Sequence, residues 1–439
     1  MTLSRRHFMA TSAAASLSFA APPVWAADRQ AISRNVLSTW TRLILELVRH
    51  TATYSPPVAS RAFAYIFVAA HEALASGTAN SATLAGQLNA LTPIPARQVG
   101  SYDEACVLHA ALAASAQEFF ANTGPTGQRA MAALADQLRA KASAGLPQDV
   151  VARSVAQGQA VAAHILAWSL TDGGAVVENM GFPYDHTPGT NPQDWVPTSL
   201  IRQQQAPLLP NWGQNRAFAM PTGTACPIPP PPAYSEDPAS PFYAAAMEVH
   251  DAVANLTDEQ RLIARFWSDD PMLSPTPPGH WIAIALAIAD RDALPVDRTA
   301  AILATLGVAM ADAFIGCWAA KVEYNLLRPI TYIRRVIDPL WEPILNTPPF
   351  PEYPSGHSTQ SGAAATVLTA AFGQDFAFDD ATHEDEGMPA RSYPSFDAAA
   401  EEAGISRLYG GIHYRFGITA GLDQGRCIGA YAAALKTGT

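Results

Sequence analysis

From Ile32 to Leu170 apolar residues recur at intervals of three and four, the spacing that lines one face of a helix. That pattern predicts helices over Asn35–Thr51, Pro57–Ala75, Tyr102–Asn122, Thr126–Ala144 and Gln148–Thr171. Turn clusters such as Thr123-Gly124-Pro125 and Gly145-Leu146-Pro147 separate them. The periodicity then stops. From Asp172 to about Ser240 the chain is rich in Pro, Gly and Asn and includes the run Pro229 to Pro232. So long a stretch without regular structure is either functional or a linker, and Trp195 and Trp212 within it argue for packing against the body. Helical spacing returns in Pro241–Asn255, Thr257–Ser268, Gly279–Arg291, Asp297–Asn325, His357–Phe372, Phe396–Tyr409 and a last helix ending near Lys436. There is no strand-rich region and no internal repeat. The expected fold is all-α: two packed helical bundles, residues 27–172 and 241–439, joined by a long irregular Pro/Gly-rich connection over residues 173–240.

Composition narrows the class. Of 439 residues 49% are apolar and 15% charged, which suits a well-buried globular chain. The net charge of −11 excludes a general nucleic-acid or anionic-membrane partner. The first residues carry Arg5-Arg6 before His7-Phe8-Met9, then an apolar small-residue stretch, then Val24-Trp25-Ala26 with small residues at both ends. This reads as a twin-arginine signal peptide over residues 1–26, and hence export of an already folded, soluble protein to the periplasm or beyond. No later apolar run reaches the ~20 residues that span a bilayer; the longest, Trp281 to Ala289, ends in Asp290-Arg291-Asp292. Cys106, Cys226, Cys317 and Cys427 show no metal-ligand spacing, and their pairing is not readable. Cys317 and Cys427 fall in helical patterns and read as buried thiols.

The chemistry gathers in the second half. In FPEYPSGHSTQSGAAATVL, Phe350 to Leu368, a proline-rich loop delivers Ser355, Gly356 and His357 onto the start of an Ala-rich helix. Free backbone N–H groups and the positive end of the helix dipole meet there, which suits an anion. Lys321 and Arg328 lie seven apart, two turns along one helical face, in the largely apolar GCWAAKVEYNLLRPI. Pro329 disfavours helical geometry at Arg328 and so places it at a helix end. In SRLYGGIHYRFG, Gly410-Gly411 can break the helix and turn His413 back toward Arg407. Singly, each of these is as readily a solvated face or a helix cap. Together Lys321, Arg328 and Arg407 can surround one oxyanion, with the Ser355 hydroxyl and the Gly356 N–H donating to it. Two histidines remain, one to bond the central atom and one to move protons.

Lys321-x6-Arg328-Pro329, Pro354-Ser355-Gly356-His357 and Ser406-Arg407-x5-His413 resemble the three-part signature of vanadium-dependent haloperoxidases, shared with acid phosphatases of the type 2 phosphatidic acid phosphatase superfamily. RAFAYIFVAAHEAL from Arg61, PLLPNWG from Pro207, FWSDD from Phe266 with TPPGHW from Thr276, and Ser395-Phe396 before AAEEAG resemble the bacterial haloperoxidase branch, so the likeness covers most of the chain. The resemblance implies vanadate as cofactor, with His413 its axial ligand and Lys321, Arg328, Ser355, Gly356 and Arg407 holding its other oxygens. His357 would be the acid–base group. Hydrogen peroxide and halide would then give a hypohalous equivalent that halogenates a small organic acceptor. Trp318 and Phe350 would be aromatic pocket residues. Asp270, with Asp269 as rival, would be the acid that pairs with the motif arginine. A homodimer follows only by analogy with the family.

Phosphate is a near-isostere of vanadate and suits the same residues, so a soluble periplasmic phosphatase with His413 as nucleophile and His357 as acid is the alternative. A non-catalytic oxyanion binder is the third. One departure stands out: superfamily members often carry an acid four residues after the final histidine, and here that position is Gly417. Either another acceptor, such as a backbone carbonyl, fixes His413, or its imidazole is less basic. His383 to Glu386, near Asp379-Asp380, reads as a solvated loop; His71, His280 and Trp281 suit pocket lining or ordinary packing equally.

Overall fold

Proline and short polar residues set where the helices begin. Proline, whose missing N–H costs nothing in a first turn, opens α2 (Pro56–Ala75), α4 (Pro125–Ser143), α6 (Pro241–Ala254) and α10 (Pro329–Val336). Side-chain caps on free N–H groups start three more: Asp103 for α3 (Glu104–Phe119), a Thr257/Gln260 capping box for α7 (Asp258–Phe266) and Ser395 for α12 (Phe396–Tyr409). The remaining helices are α1 (Val24–Arg49), α5 (Gln148–Ser169), α8 (Thr276–Arg291), α9 (Val296–Tyr324), α11 (Gly356–Phe372) and α13 (Arg415–Ala433). The computed structural model describes residues 24–51, 53–78, 81–177, 187–198 and 206–438. The leader expected over residues 1–26 lies, up to residue 23, outside the described residues.

The fold is all-α. Helices α2 and α9 pack on each other, each apolar nearly all round and buried along most of its length. One continuous core runs from Trp40 and Phe63 through Trp281 and Phe314 to Leu408 and Ile428. The sequence reading underrated α9. With a mean hydropathy of 1.9 it is apolar and long enough to cross a bilayer, but 89% of that window is buried in the protein, so its apolarity is spent on the core. The reading also missed α10, whose eight residues are too few to show a period, and a two-stranded antiparallel ribbon, β1 (Phe378–Asp380) with β2 (Arg391–Tyr393).

The described parts of the irregular connection are ordered by polar anchors rather than by regular structure. Asp172 takes Arg61 Nε at 2.6 Å and the Tyr65 hydroxyl at 2.8 Å, both from α2. Asp312 of α9 accepts the N–H groups of Phe218, Ala219 and Met220 at 2.6–2.9 Å. Trp195 N–H donates to the Asn325 carbonyl and Leu208 N–H to that of Pro349. A disulfide joins Cys226 of the connection to Cys427 of α13. Cys427 is therefore no free thiol, as its helical setting suggested; Cys106 and Cys317 are the buried free ones.

Candidate active site

The site forms where α9 ends, α11 begins and the α12–α13 turn passes between them. Asn325 closes α9 in the left-handed conformation (φ 42°), a cap that asparagine tolerates. Arg328 is extended (φ −76°, ψ 154°) ahead of Pro329, so the chain reverses under the loop that leads into α11. Lys321 Nζ donates to the carbonyls of Pro351, Glu352 and Pro354 at 2.7, 2.9 and 2.6 Å. Arg328 Nε donates to the Phe350 carbonyl at 2.8 Å, and its Nη1 to the Ile412 carbonyl and to His413 Nε2 at 2.9 and 3.0 Å. Two cations thus clamp both the PSGH loop and the histidine turn. Phe350 is wedged under them, its ring centroid 5.1 Å from Lys321 Nζ and 4.9 Å from the Arg328 guanidinium carbon.

Ser355 is the N-cap of α11, its hydroxyl accepting from Ser358 N–H. Gly356 and His357 form the first turn and, with Arg407 and His413, line a cavity of about 660 Å³. Trp267 positions one of these residues: its carbonyl accepts from Arg407 Nη1 at 2.8 Å. His357 Nε2 is buried without a hydrogen-bond partner.

His413 is fixed by a residue the sequence reading overlooked. Its Nδ1 lies 2.8 Å from Glu352 Oε1, which also accepts Tyr414 N–H at 3.1 Å. A Cβ placed on Gly417 would come within 2.5 Å of that same oxygen. The acceptor is a carboxylate, not a backbone carbonyl, and it occupies the space a side chain at 417 would need. Glu352 stood inside the quoted loop, but nothing in its spacing from His413, sixty-one residues away, announced a contact.

The charge balance calls for an anion. Lys321 and Arg328 are buried beside the one carboxylate of Glu352, and Arg407 is buried near that of Asp270 without a direct bond to it. Burial lowers Lys321 to about 7, pulls both guanidiniums well down, and raises Glu352 to about 7 against the pull of Lys321 and Arg328. Burial, then the neighbouring cations, holds His413 and His357 well below the usual imidazole range, so both rings are neutral. Arg328 Nη2, Arg407 Nε, His357 Nε2 and Ser358 Oγ are buried polar atoms without a hydrogen-bond partner. Such atoms are costly unless something polar meets them. A tetrahedral oxyanion supplies both the missing acceptors and the missing charge, so the residues present fit vanadate.

The other expected residues divide. Trp318 and Phe350 both line the cavity, ring centroids 4.9 Å apart, and Trp318 Nε1 donates to the Leu208 carbonyl. The expected ion pair between Asp270 and Arg407 is not formed among the described residues; Asp270 faces the cavity and attracts Arg407 through space. Asp269 is no better partner, because it is engaged by His280 Nδ1 at 3.0 Å and lies 3.3 Å from His383 Nε2. His280 Nε2 meets Asp380 at 2.8 Å, so both its nitrogens face carboxylates and the ring holds both protons. His383 is therefore buried in a charge network behind the cavity wall rather than in a solvated loop. His280 stacks on Trp267 at 4.5 Å without lining the cavity, and Trp281 donates to Ser361 in the core. His71 hydrogen-bonds the Ala82 carbonyl, away from the site.

A helical fold with three buried cations and two neutral histidines around one cavity defines a class, the oxyanion-binding helical-bundle proteins. Within it, residues 301–437 match the family model described as the VCPO second helical-bundle domain. The structure superposes on that of a bacterial vanadium-dependent iodoperoxidase with a TM-score of 0.82 and 38% identity, over 92% of this chain and 97% of the other. A holo-type bacterial vanadium-dependent chloroperoxidase, 19% identical, shares the fold at a TM-score of 0.66 over 87% and 94%. Vanadium chloroperoxidase of Curvularia inaequalis is 30% identical over 175 residues, and vanadium-dependent bromoperoxidase of Ascophyllum nodosum 36% over 94. These matches cover 28% and 19% of this chain, and only 29% and 17% of the two relatives' lengths. The chain belongs to the vanadium-dependent haloperoxidases.

Proposed function

We propose that the protein oxidises halide with hydrogen peroxide, using vanadate held between α9, α11 and the α12–α13 turn, and so halogenates small organic acceptors. The observation that carries this reading is the cluster of buried cations with unpartnered donors beside two neutral histidines that line the same cavity. Lys321, Arg328, Arg407, Ser355 and the Gly356 N–H would hold the oxygens and His413 Nε2 the central atom. Bound vanadate would supply a Lewis acid that polarises peroxide toward attack by halide. His357, kept neutral by burial and by Arg407, has an unpartnered Nε2 with which to take a proton from incoming peroxide. The cations offset charge built up on the anion, in a cavity whose walls exclude much of the water. Trp318, Phe350, Phe314 and Leu208 give the cavity the apolar side against which an organic acceptor rests. Arg5-Arg6 and the small-residue stretch after them support export through the twin-arginine route.

The test titrates phosphate-free protein with orthovanadate, following peroxide-dependent bromination and iodination of a dye, with phosphate-ester hydrolysis in parallel. Halogenation that rises with vanadate and is lost in His413→Ala is the expected outcome. Hydrolysis that vanadate inhibits, with no halogenation at any vanadate level, overturns the reading.

A further inference from the structure

We propose that Glu352 is the positioning residue for His413, and that it fills a single acid slot which the chain could equally have served from position 417. The proposal rests on the reading above, in which His413 Nε2 meets the central atom of the bound oxyanion.

The tautomer follows from donors and acceptors alone. Arginine has no acceptor atom, so the 3.0 Å contact between Arg328 Nη1 and His413 Nε2 requires a lone pair on Nε2. The proton of the neutral ring is then on Nδ1, and Glu352 Oε1 at 2.8 Å accepts it. The same oxygen takes Tyr414 N–H, which ties the backbone after His413 to the carboxylate and fixes the ring's tilt as well as its tautomer. A ligand histidine braced by a carboxylate also donates more strongly from its other nitrogen.

Structural need alone does not explain a charge here. Glu352 is fully buried, its Oε2 has no partner, and burying a carboxylate costs several kcal/mol. The loop is already held through its carbonyls by Lys321 and Arg328. What the carboxylate adds is the bond to the ring. Gly417, in the first turn of α13, marks the other end of the slot. Its Cβ position falls 2.5 and 2.9 Å from the two Glu352 oxygens, so a side chain at 417 would displace the Glu352 carboxylate from its present place. An aspartate there would place its carboxylate in the volume that Glu352 occupies now.

The experiment compares wild type with Glu352→Gln, Glu352→Ala, Gly417→Asp and the double variant Glu352→Ala/Gly417→Asp. Orthovanadate affinity is measured by calorimetry on phosphate-free protein. The His413 ring tautomer is read by 15N NMR of histidine-labelled protein, which needs no vanadate. Glu352→Gln and Glu352→Ala should weaken vanadate binding about 10–100-fold. Gln keeps an oxygen that accepts from Nδ1–H and so the tautomer, whereas Ala removes that acceptor and should raise the share of the Nε2–H form. Gly417→Asp alone should weaken it as well, because two acids then compete for one slot. The double variant should recover at least about tenfold over Glu352→Ala, with the Nδ1–H form restored. Wild-type affinity in a folded Glu352→Gln, or a folded double variant no better than Glu352→Ala, overturns the proposal. Should Glu352→Ala not fold, the near-isosteric Glu352→Gln decides. A wild type that binds no vanadate sinks the functional reading instead, and the ring spectra still decide Glu352.

Discussion

The three buried cations share a charge but not a role. Lys321 satisfies three loop carbonyls, so removing it strands three acceptors as well as a charge. Arg407 makes one bond, to the Trp267 carbonyl, and keeps a buried Nε without a partner. An under-paired buried charge is a liability to the anion-free fold. Arg407→Met should therefore leave the melting temperature of anion-free protein unchanged or raised, while weakening vanadate binding tenfold or more. Lys321→Met should lower both stability and affinity. Thermal melts with and without saturating vanadate separate the two outcomes, and a large loss of anion-free stability in Arg407→Met contradicts the assignment. The motif residues were legible because their chemistry is local: a cation before proline, a serine at a helix start, a histidine after two glycines. Glu352 and Trp267 were not, because each acts through a contact between segments far apart in the chain.

Helices α11 and α13 carry the two halves of the site, and small residues let them approach. A Cβ on Gly425 of α13 would sit 2.0 Å from the Thr359 carbonyl of α11, and one on Gly421 would sit 2.8 Å from that of Ser355. Gly425→Ala must push α13 away from α11, an overpacking cost of about 1–3 kcal/mol. Because Ser355 and His357 ride on α11 while His413 leads into α13, the same shift should loosen vanadate binding. Urea unfolding should give an unchanged slope with a lower midpoint; an unchanged midpoint would mean that the helices have room to spare. Helical spacing had indicated where these elements run, with α11 expected at His357–Phe372 and found at Gly356–Phe372. Their separation was hidden, since a glycine in a helix reads only as a weak helix former until a neighbour's carbonyl is found against it.

At the scale of the whole molecule, a covalent bond and a buried charge network tie together segments far apart in the chain. The Cys226–Cys427 bond closes 201 residues of chain, and a crosslink over so long a loop stabilises by about 2–5 kcal/mol. Reduction, or the paired serine variant, should lower the melting temperature without abolishing vanadate binding, since neither cysteine lines the cavity.

The Asp269–His280–Asp380 network joins the cavity wall, α8 and β1. Burial opposes the His280 charge, but Asp269 and Asp380 outweigh it and raise its pKa to about 10. They are held below the usual range by His280 despite their own burial. The His280 contribution is complete below about pH 6.5 and is lost as pH rises toward 10, while that of the aspartates is complete above about pH 4 and is lost below it. The network stabilises most between these limits, so the melting temperature should fall as pH climbs from 7 to 10. His280→Gln should cost about 3–5 kcal/mol at pH 6 and flatten that alkaline slope; an unchanged slope would place the loss elsewhere.

What the sequence determined by itself is whatever short-range physics enforces. Apolar spacing of three and four made the chain helical, proline and serine set the helix starts, and three motifs assembled enough positive charge to demand an anion. What only the tertiary structure decided is which distant groups share a volume. It spent the apolarity of α9 on the core, paired Cys226 with Cys427, and drew Asp269 toward two histidines and away from Arg407. It also answered the glycine at 417 with a glutamate sixty-five residues earlier in the chain. A buried carboxylate is held wherever a donor and a space coincide, and that coincidence is a property of the fold rather than of any interval along the chain.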